Sequence, residues 1–216
     1  MEITYLGHAS FKIKGKNISL IIDPFNEKIG QKFPKQKCDL LLVTHDHFDH
    51  NCIENVSEYK LLINGPGEYE SGGVFVYGVS TKHDNNNGSK RGDNTIYLIE
   101  IDGFNVLHLG DLGHELKEET LEKIHQVDVL LIPVGGKYTI DAETAVKVIS
   151  LLEPGIVVPM HYKTDTLTDS EGMQGVDKFV EEMGADQGAR KEDKLKLTSE
   201  SDVPEETETV LLKPYS

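Results

Sequence analysis

The sequence predicts an α/β protein with a polar site along one sheet edge, on three observations. Short, β-rich apolar runs bounded by turn residues recur through the 216-residue chain. Helical patterns fall between the later runs, near residues 114–124, 142–152 and 173–183. Side chains able to bind a cation gather where runs end: the stretch Thr44-His45-Asp46-His47-Phe48-Asp49-His50, then His83, Asp111 and His161. Strands that alternate with helices and carry polar residues at their ends build α/β proteins with a site at the sheet edge.

The first fifty residues read as strands. Ile3 to Leu6, Phe11 to Ile13 and Ile18 to Ile22 are separated by Gly7 and by Lys14-Gly15-Lys16-Asn17, and the third ends at Asp23-Pro24. His8, in the turn Gly7-His8-Ala9-Ser10, is either bonded to backbone or part of the site floor. Asp23, at a strand end, is placed to buttress a metal loop from behind. The run Leu40 to Val43 has the length of a buried strand, and the histidine stretch follows it. In extended chain, residues two apart point the same way, so His45 and His47 can reach one cation. Asp49 and His50 follow the turn and can reach a second. Imidazole with carboxylate suits zinc or a similar transition ion.

Residues 52–59 suggest a short helix, Leu61 to Ile63 a strand broken by Gly65-Pro66-Gly67, and Val74 to Val79 another strand leading to His83. Thr95 to Ile101 and Phe104 to Leu109 flank Asp102-Gly103 as a hairpin. Alternation along the second arm puts Phe104, Val106 and His108 on one face and Leu107, Leu109 and Asp111 on the other. His108 and Asp111 therefore do not share the site, and Asp111, beyond the Gly110 bend, is the better candidate. A buried strand spans Val129 to Val134. Asp141 caps a helix over Ala142 to Leu152, and Ile156 to Met160 is a strand with His161 at its end. Two short strands, near 194–198 and 208–212, close the chain, and the charge-rich segment 186–208 reads as a surface hairpin.

The apolar fraction of 38% and charged fraction of 27% are those of a soluble protein, and residues 1–216 read as one domain. A net charge of −15 repels nucleic acid and anionic membrane at long range. No run is long enough to cross a bilayer, and the start, Met1-Glu2-Ile3-Thr4-Tyr5-Leu6, reads as a strand with no signal-peptide pattern. Two cysteines, Cys38 and Cys52, are too few for a disulfide framework. The expected location is the cytoplasm.

His45-x-His47-x-Asp49-His50, followed in order by His83, Gly110-Asp111 and His161, resembles the metallo-β-lactamase-fold hydrolase superfamily. Leu6-Gly7-His8-Ala9-Ser10-Phe11, Asp23-Pro24, Pro133-Val134-Gly135-Gly136 and Pro159-Met160-His161-Tyr162 resemble its branch that includes ascorbate-6-phosphate lactonase and N-acylphosphatidylethanolamine phospholipase D. The resemblance covers residues 1 to 165. It implies an αββα sandwich of two mixed sheets with helices on the outer faces. It implies two divalent ions, Zn2+ before Mn2+ or Fe: His45, His47 and His83 hold one, Asp49, His50 and His161 the other, and Asp111 bridges.

The chemistry this implies is hydrolysis of an ester, lactone or phosphodiester of a small substrate by a hydroxide shared between the ions. Asp49 is the candidate to orient the hydroxide or take its proton. His8, Lys137 and Tyr138 are candidates for holding substrate, and Lys82, Lys90 and Arg91 for contacting a phosphate-bearing one. The rival readings are a nuclease, which the charge disfavours, a metal-binding module without turnover, and an iron redox protein.

Overall fold

The computed structural model describes residues 1–184 and 188–215. The first sheet is built from β1 (Glu2–Gly7), β2 (Ser10–Lys14), β3 (Ser19–Ile22), β4 (Leu40–Leu42), β5 (Leu61–Ile63) and β13 (Leu195–Lys196), in the order β13-β1-β2-β3-β4-β5. The second holds β6 (Gly67–Ser71), β7 (Val74–Lys82), β8 (Asp93–Ile101), β9 (Phe104–His108), β10 (Val129–Pro133), β11 (Ile156–Met160), β12 (Arg190–Glu192) and β14 (Glu208–Leu212). Its order is β12-β14-β11-β10-β9-β8-β7-β6. Both sheets are mixed, with parallel pairs at β3-β4-β5 and at β9-β10-β11.

The sheets face each other across one apolar layer. Phe11, Ile13, Leu20, Ile22, Leu40 and Leu42 from the first meet Val76, Tyr97, Ile99, Val106, Leu131 and Val158 from the second. The outer face of the second sheet, through Leu98, Leu107, Leu130 and Val157, is covered by α2 (Ala142–Leu152), via Ala145, Val148 and Ile149, and by α3 (Val176–Glu182), via Phe179. Asp141 accepts the Thr144 amide at 2.9 Å and so caps α2, as expected from its place before Ala142. The outer face of the first sheet, through Leu6, Ile21 and Leu41, is covered by Phe25, Ile29, Phe33 and Val56, from loops and short 3-10 turns, together with Leu167 and Met173.

Four expectations need correction. Residues 52–59 form only a 3-10 turn, Ile53–Asn55, because the amides of Cys52 and Ser57 are taken by the carbonyls of Pro24 and Gln36. The helix expected over 114–124 shrinks to one turn, α1 (Glu118–Leu121): His114 accepts the Lys82 amide and ties the preceding chain to β7. The helix expected from 173 begins at Val176, since the Gln174 carbonyl, which a helix would offer to the Lys178 amide, accepts the Lys163 amide instead. The segment 186–208 is not a hairpin. Asp186 and Gln187 lie outside the described residues, and beyond them β12 pairs with β14 in one sheet while β13 pairs with β1 in the other. Strands β6 and β12 escape sequence reading because they are edge strands with half-exposed, charged side chains.

The topology places the site. Strand β10 runs parallel to β9 and β11, and β7 runs antiparallel to β8, which is antiparallel to β9. The carboxyl ends of β7, β9 and β11 therefore share one edge, where they deliver His83, Asp111 and His161. The carboxyl ends of β3 and β4 meet that edge across the sandwich. The seam is stitched by backbone bonds, His161 N–H to the His8 carbonyl at 2.9 Å and Thr95 N–H to the Thr44 carbonyl at 2.9 Å. The Tyr97 hydroxyl donates to the Val43 carbonyl at 2.8 Å.

Candidate metal centre

Sharp bends aim the side chains at this edge. His8, Asp23 and His161 adopt φ of 55°, 51° and 51°, a left-handed conformation that non-glycine residues seldom take and that concentrates at functional sites. Gly110, at φ 53°, has no alternative: a Cβ there would stand 2.4 Å from Asn94 Oδ1 and 2.8 Å from Thr44 Cβ. The bend carries Asp111 into the site, and its amide donates to Asn94 Oδ1 at 3.0 Å.

The residues picked from the sequence converge. Asp111 Oδ2 lies 3.1 Å from His83 Nε2, 3.2 Å from His50 Nε2, 3.2 Å from His161 Nε2 and 3.9 Å from His45 Nε2. Three sets of donor atoms each fall within 4.8 Å of one another: His45 with His47 and His83, Asp49 with His50, His161 and His8, and His45 with His50 and Asp111. His8 Nε2 lies 3.1 Å from Asp49 Oδ2, so His8 is on the site floor and not merely a turn residue. Tyr138 flanks the site with its ring centroid 6.5 Å from that of His161, and its hydroxyl donates to Asp169 Oδ2 at 2.6 Å. Lys137 is drawn off to Asp169 at 3.4 Å and Lys82 pairs with Asp93. His108 stays in the core, donating from Nε2 to the Ala9 carbonyl at 2.8 Å and accepting the Gly110 amide at Nδ1. Cys52 belongs to none of the donor sets.

Asp23, fully buried, sets the orientation of the loop. Its Oδ1 accepts the Thr44 amide at 2.8 Å, and its Oδ2 accepts the Thr44 hydroxyl at 2.7 Å and His50 Nδ1–H at 2.8 Å. The Thr44 hydroxyl, its proton given to Asp23, accepts from His45 Nδ1 at 2.9 Å. One carboxylate thus holds two imidazoles with Nδ1 protonated and Nε2 turned toward Asp111.

Residues 2–161 match the model of the beta-lactamase superfamily domain. The chain belongs to that superfamily. It also groups with the UPF0173 metal-dependent hydrolases. The relative of that name from Archaeoglobus fulgidus is 30% identical, with the match covering 79% of this chain and 87% of the relative. The one from Thermococcus onnurineus is 32% identical, covering 76% and 85%. A crystal structure from Thermotoga maritima, of a protein assigned to the Zn-dependent hydrolases of the metallo-β-lactamase superfamily, superposes with a TM-score of 0.80 at 32% identity. The overlap takes in 98% of this chain and 97% of that one. Two mixed sheets with outer helices are the superfamily's sandwich, as the resemblance implied.

The superfamily's metal can be tested against the atoms present. His50 Nε2, His161 Nε2 and Asp111 Oδ1 are buried with no hydrogen-bond partner among the described residues. With Nδ1 protonated, His45, and His50 when it is neutral, present lone pairs to the carboxylate of Asp111. Lone pairs facing a carboxylate repel unless positive charge lies between them. Burial, then the neighbouring His50, pushes His45 down to about 2, and burial, then His161, pushes His8 down to about 4, so both stay neutral. Burial and then His83 lower His47 in the same direction. Burial opposes charge on His50, but the carboxylates of Asp111, Asp49 and Asp23 outweigh it and raise its pKa, so His50 carries the positive charge that these carboxylates call for unless a cation supplies it. Burial likewise opposes ionisation of Asp111 and Asp49. His161 and His50 hold Asp111 well below the usual range, and His50 and His8 do the same for Asp49. The imidazoles of His8, His45 and His47, held toward the neutral form beside ionised Asp49 and Asp111, are a donor set that fits a divalent cation, and a cation would take over the charge on His50.

A cavity of about 290 Å3 opens onto the cluster. Besides His8, His47, His83 and His161, its wall includes Ile29, Phe48, Arg91, Leu167, Asp169 and Met173. The apolar wall carries no sequence signal, because it comes from loops distant in the chain whose side chains read as ordinary core.

Proposed function

We propose that the chain is a hydrolase that holds two divalent cations, Zn2+ in the first instance, and cleaves an ester, lactone or phosphodiester of a small substrate. The observation that carries this is the unpartnered, buried set of Nε2 and carboxylate atoms around Asp111. In this reading His45, His47 and His83 hold one ion, Asp49, His50 and His161 the other, and Asp111 lies between them. His8 stands beside the second set. When bound, the cations supply an acidified water and an electrophilic centre.

This chain's own groups do the rest. Asp23 and Thr44 keep the ligand tautomers fixed, which removes reorganisation when substrate arrives. Water adds to the carbonyl carbon or the phosphorus, and Asp49 Oδ2, backed by His8 Nε2, is positioned to take the proton and return it to the leaving oxygen. The Tyr138 hydroxyl is engaged by Asp169, so Tyr138 contributes its ring as a wall. A site of this size takes a small substrate. The proposal treats residues 1–216 as one working domain. Among the described residues no helix is long and apolar enough to cross a membrane.

The test is a hydrolysis panel of phosphodiesters, lactones and esters with zinc and with manganese, run with metal analysis. His45→Ala and His161→Ala should each abolish hydrolysis and lower bound metal to about one ion or none per chain. Two ions retained after either substitution would overturn the ligand assignment.

A further inference from the structure

The loop after His83 has an organisation that the metal centre does not require. Asp84 is buried, and its carboxylate accepts four backbone amides: Oδ1 from Asn86 at 2.7 Å and Gly88 at 3.1 Å, and Oδ2 from Lys90 at 2.9 Å and Arg91 at 2.8 Å. One side chain fixes the path of residues 86–91, and with it the position of Arg91. The Arg91 guanidinium carbon sits 4.6 Å from the centroid of the Tyr138 ring, within cation–π range.

Arg91 differs from the cations around it. Lys82 is paired with Asp93 and Lys137 with Asp169; among the described residues neither Lys90 nor Arg91 pairs with a carboxylate, and of these two it is Arg91 that stacks on Tyr138 and lines the cavity. In a chain with 37 acidic and 22 basic residues, an arginine left without a carboxylate is held away from abundant partners. It is half-buried and lines the same cavity as His47, His83, Asp111 and His161. Apolar side chains, Ile29, Leu167 and Met173, complete the cavity wall. A guanidinium presents a planar fork of donors that matches a carboxylate or a phosphate, and stacking on Tyr138 holds that fork in place.

We propose that Arg91 is a specificity residue: it receives a carboxylate or phosphate carried by the substrate, while Ile29, Leu167 and Met173 take an apolar portion and the scissile bond lies at the histidine–aspartate cluster. Asp84 is its positioning residue. The placement of the scissile bond rests on the hydrolytic reading above; the anion site rests on the loop and the unpaired guanidinium. The substrate class is then a small amphiphilic anion, in place of a neutral ester.

The test uses the zinc-loaded full chain and a matched pair of esters, para-nitrophenyl hydrogen succinate and para-nitrophenyl butyrate, which differ by a terminal carboxylate. The wild type should favour the succinate. Arg91→Gln should reduce that preference about tenfold or more through KM, the scale of a lost charged hydrogen bond, and Arg91→Lys should restore part of it. Calorimetric titration with benzoate and with phenyl phosphate should show affinity falling about tenfold in Arg91→Gln, and the tighter binder identifies the anion. Equal slowing of both esters, or anion binding unchanged by Arg91→Gln, would mean that Arg91 only braces Tyr138 and would overturn the proposal. Arg91-dependent binding of an anion without turnover of any ester, lactone or phosphodiester would sink the hydrolytic reading and leave the anion site standing.

Discussion

Asp23→Asn is the substitution whose consequences are most sharply determined. Asparagine has the same shape and tolerates φ of 51°, so the backbone bend is not disturbed. What changes is that one oxygen becomes an NH2 donor. If the amide nitrogen replaces Oδ1, it meets the Thr44 N–H, and a buried donor goes unsatisfied at a cost of about 1–3 kcal/mol. If it replaces Oδ2, the Thr44 hydroxyl must turn to accept from it and donate to His45 Nδ1, and His50 Nδ1 must accept as well. Both histidines then carry their proton on Nε2, where the metal reading needs a lone pair. The first arrangement lowers stability and the second lowers metal affinity. Outer partners of metal ligands are typically worth about 10–100-fold in affinity, or about 1.4–2.7 kcal/mol. Zinc titration against a competing chelator, with a denaturant melt of the same protein, measures both. An unchanged melting midpoint together with two ions bound at wild-type affinity would refute the tautomer argument.

Two further substitutions test other parts of the structure. Gly113→Ala would place a Cβ 2.3 Å from the His83 carbonyl carbon and 2.4 Å from the Asp84 amide, so about 1–3 kcal/mol of stability and the His83 ligand position should be lost together, read by melting and zinc content. Burial pushes the Cys38 thiol up to about 12 from an ordinary value of 9.0. A pKa raised on folding stabilises fully below the unfolded value and is lost as pH rises toward the folded one. Cys38→Ala should therefore flatten part of the fall in stability between about pH 9 and 12 in alkaline melts; an identical fall would show that the thiol does not contribute.

Local spacing made the cluster legible before any coordinates. His45, His47, Asp49 and His50 lie within six residues, and alternation with the Gly110 bend pointed to Asp111 over His108; the structure bonds His108 to the Ala9 carbonyl in the core, while the bend carries Asp111 to the histidines. The Asp141 cap and the strands that end at the site were legible for the same reason: their signals sit within a few residues. Helix at 52–59 and at 114–117 failed because distant partners intervene: the carbonyls of Pro24 and Gln36 take backbone amides, and the Lys82 amide ties down the His114 side chain. The cavity wall was illegible on similar grounds. Ile29 and Leu167 look like any apolar loop residues until Phe25 and Met173 join them against the first sheet. Arg91 was visible only as one of three basic residues near His83: Asp93 takes Lys82, and the Tyr138 ring and the cavity wall tell Arg91 from Lys90.

Anomalous scattering from a zinc-soaked crystal tests the central claim most directly. Two peaks are expected, one among His45, His47 and His83 and one among Asp49, His50 and His161, with the Asp111 carboxylate between them. A single peak elsewhere, or none at these side chains under zinc excess, would contradict it.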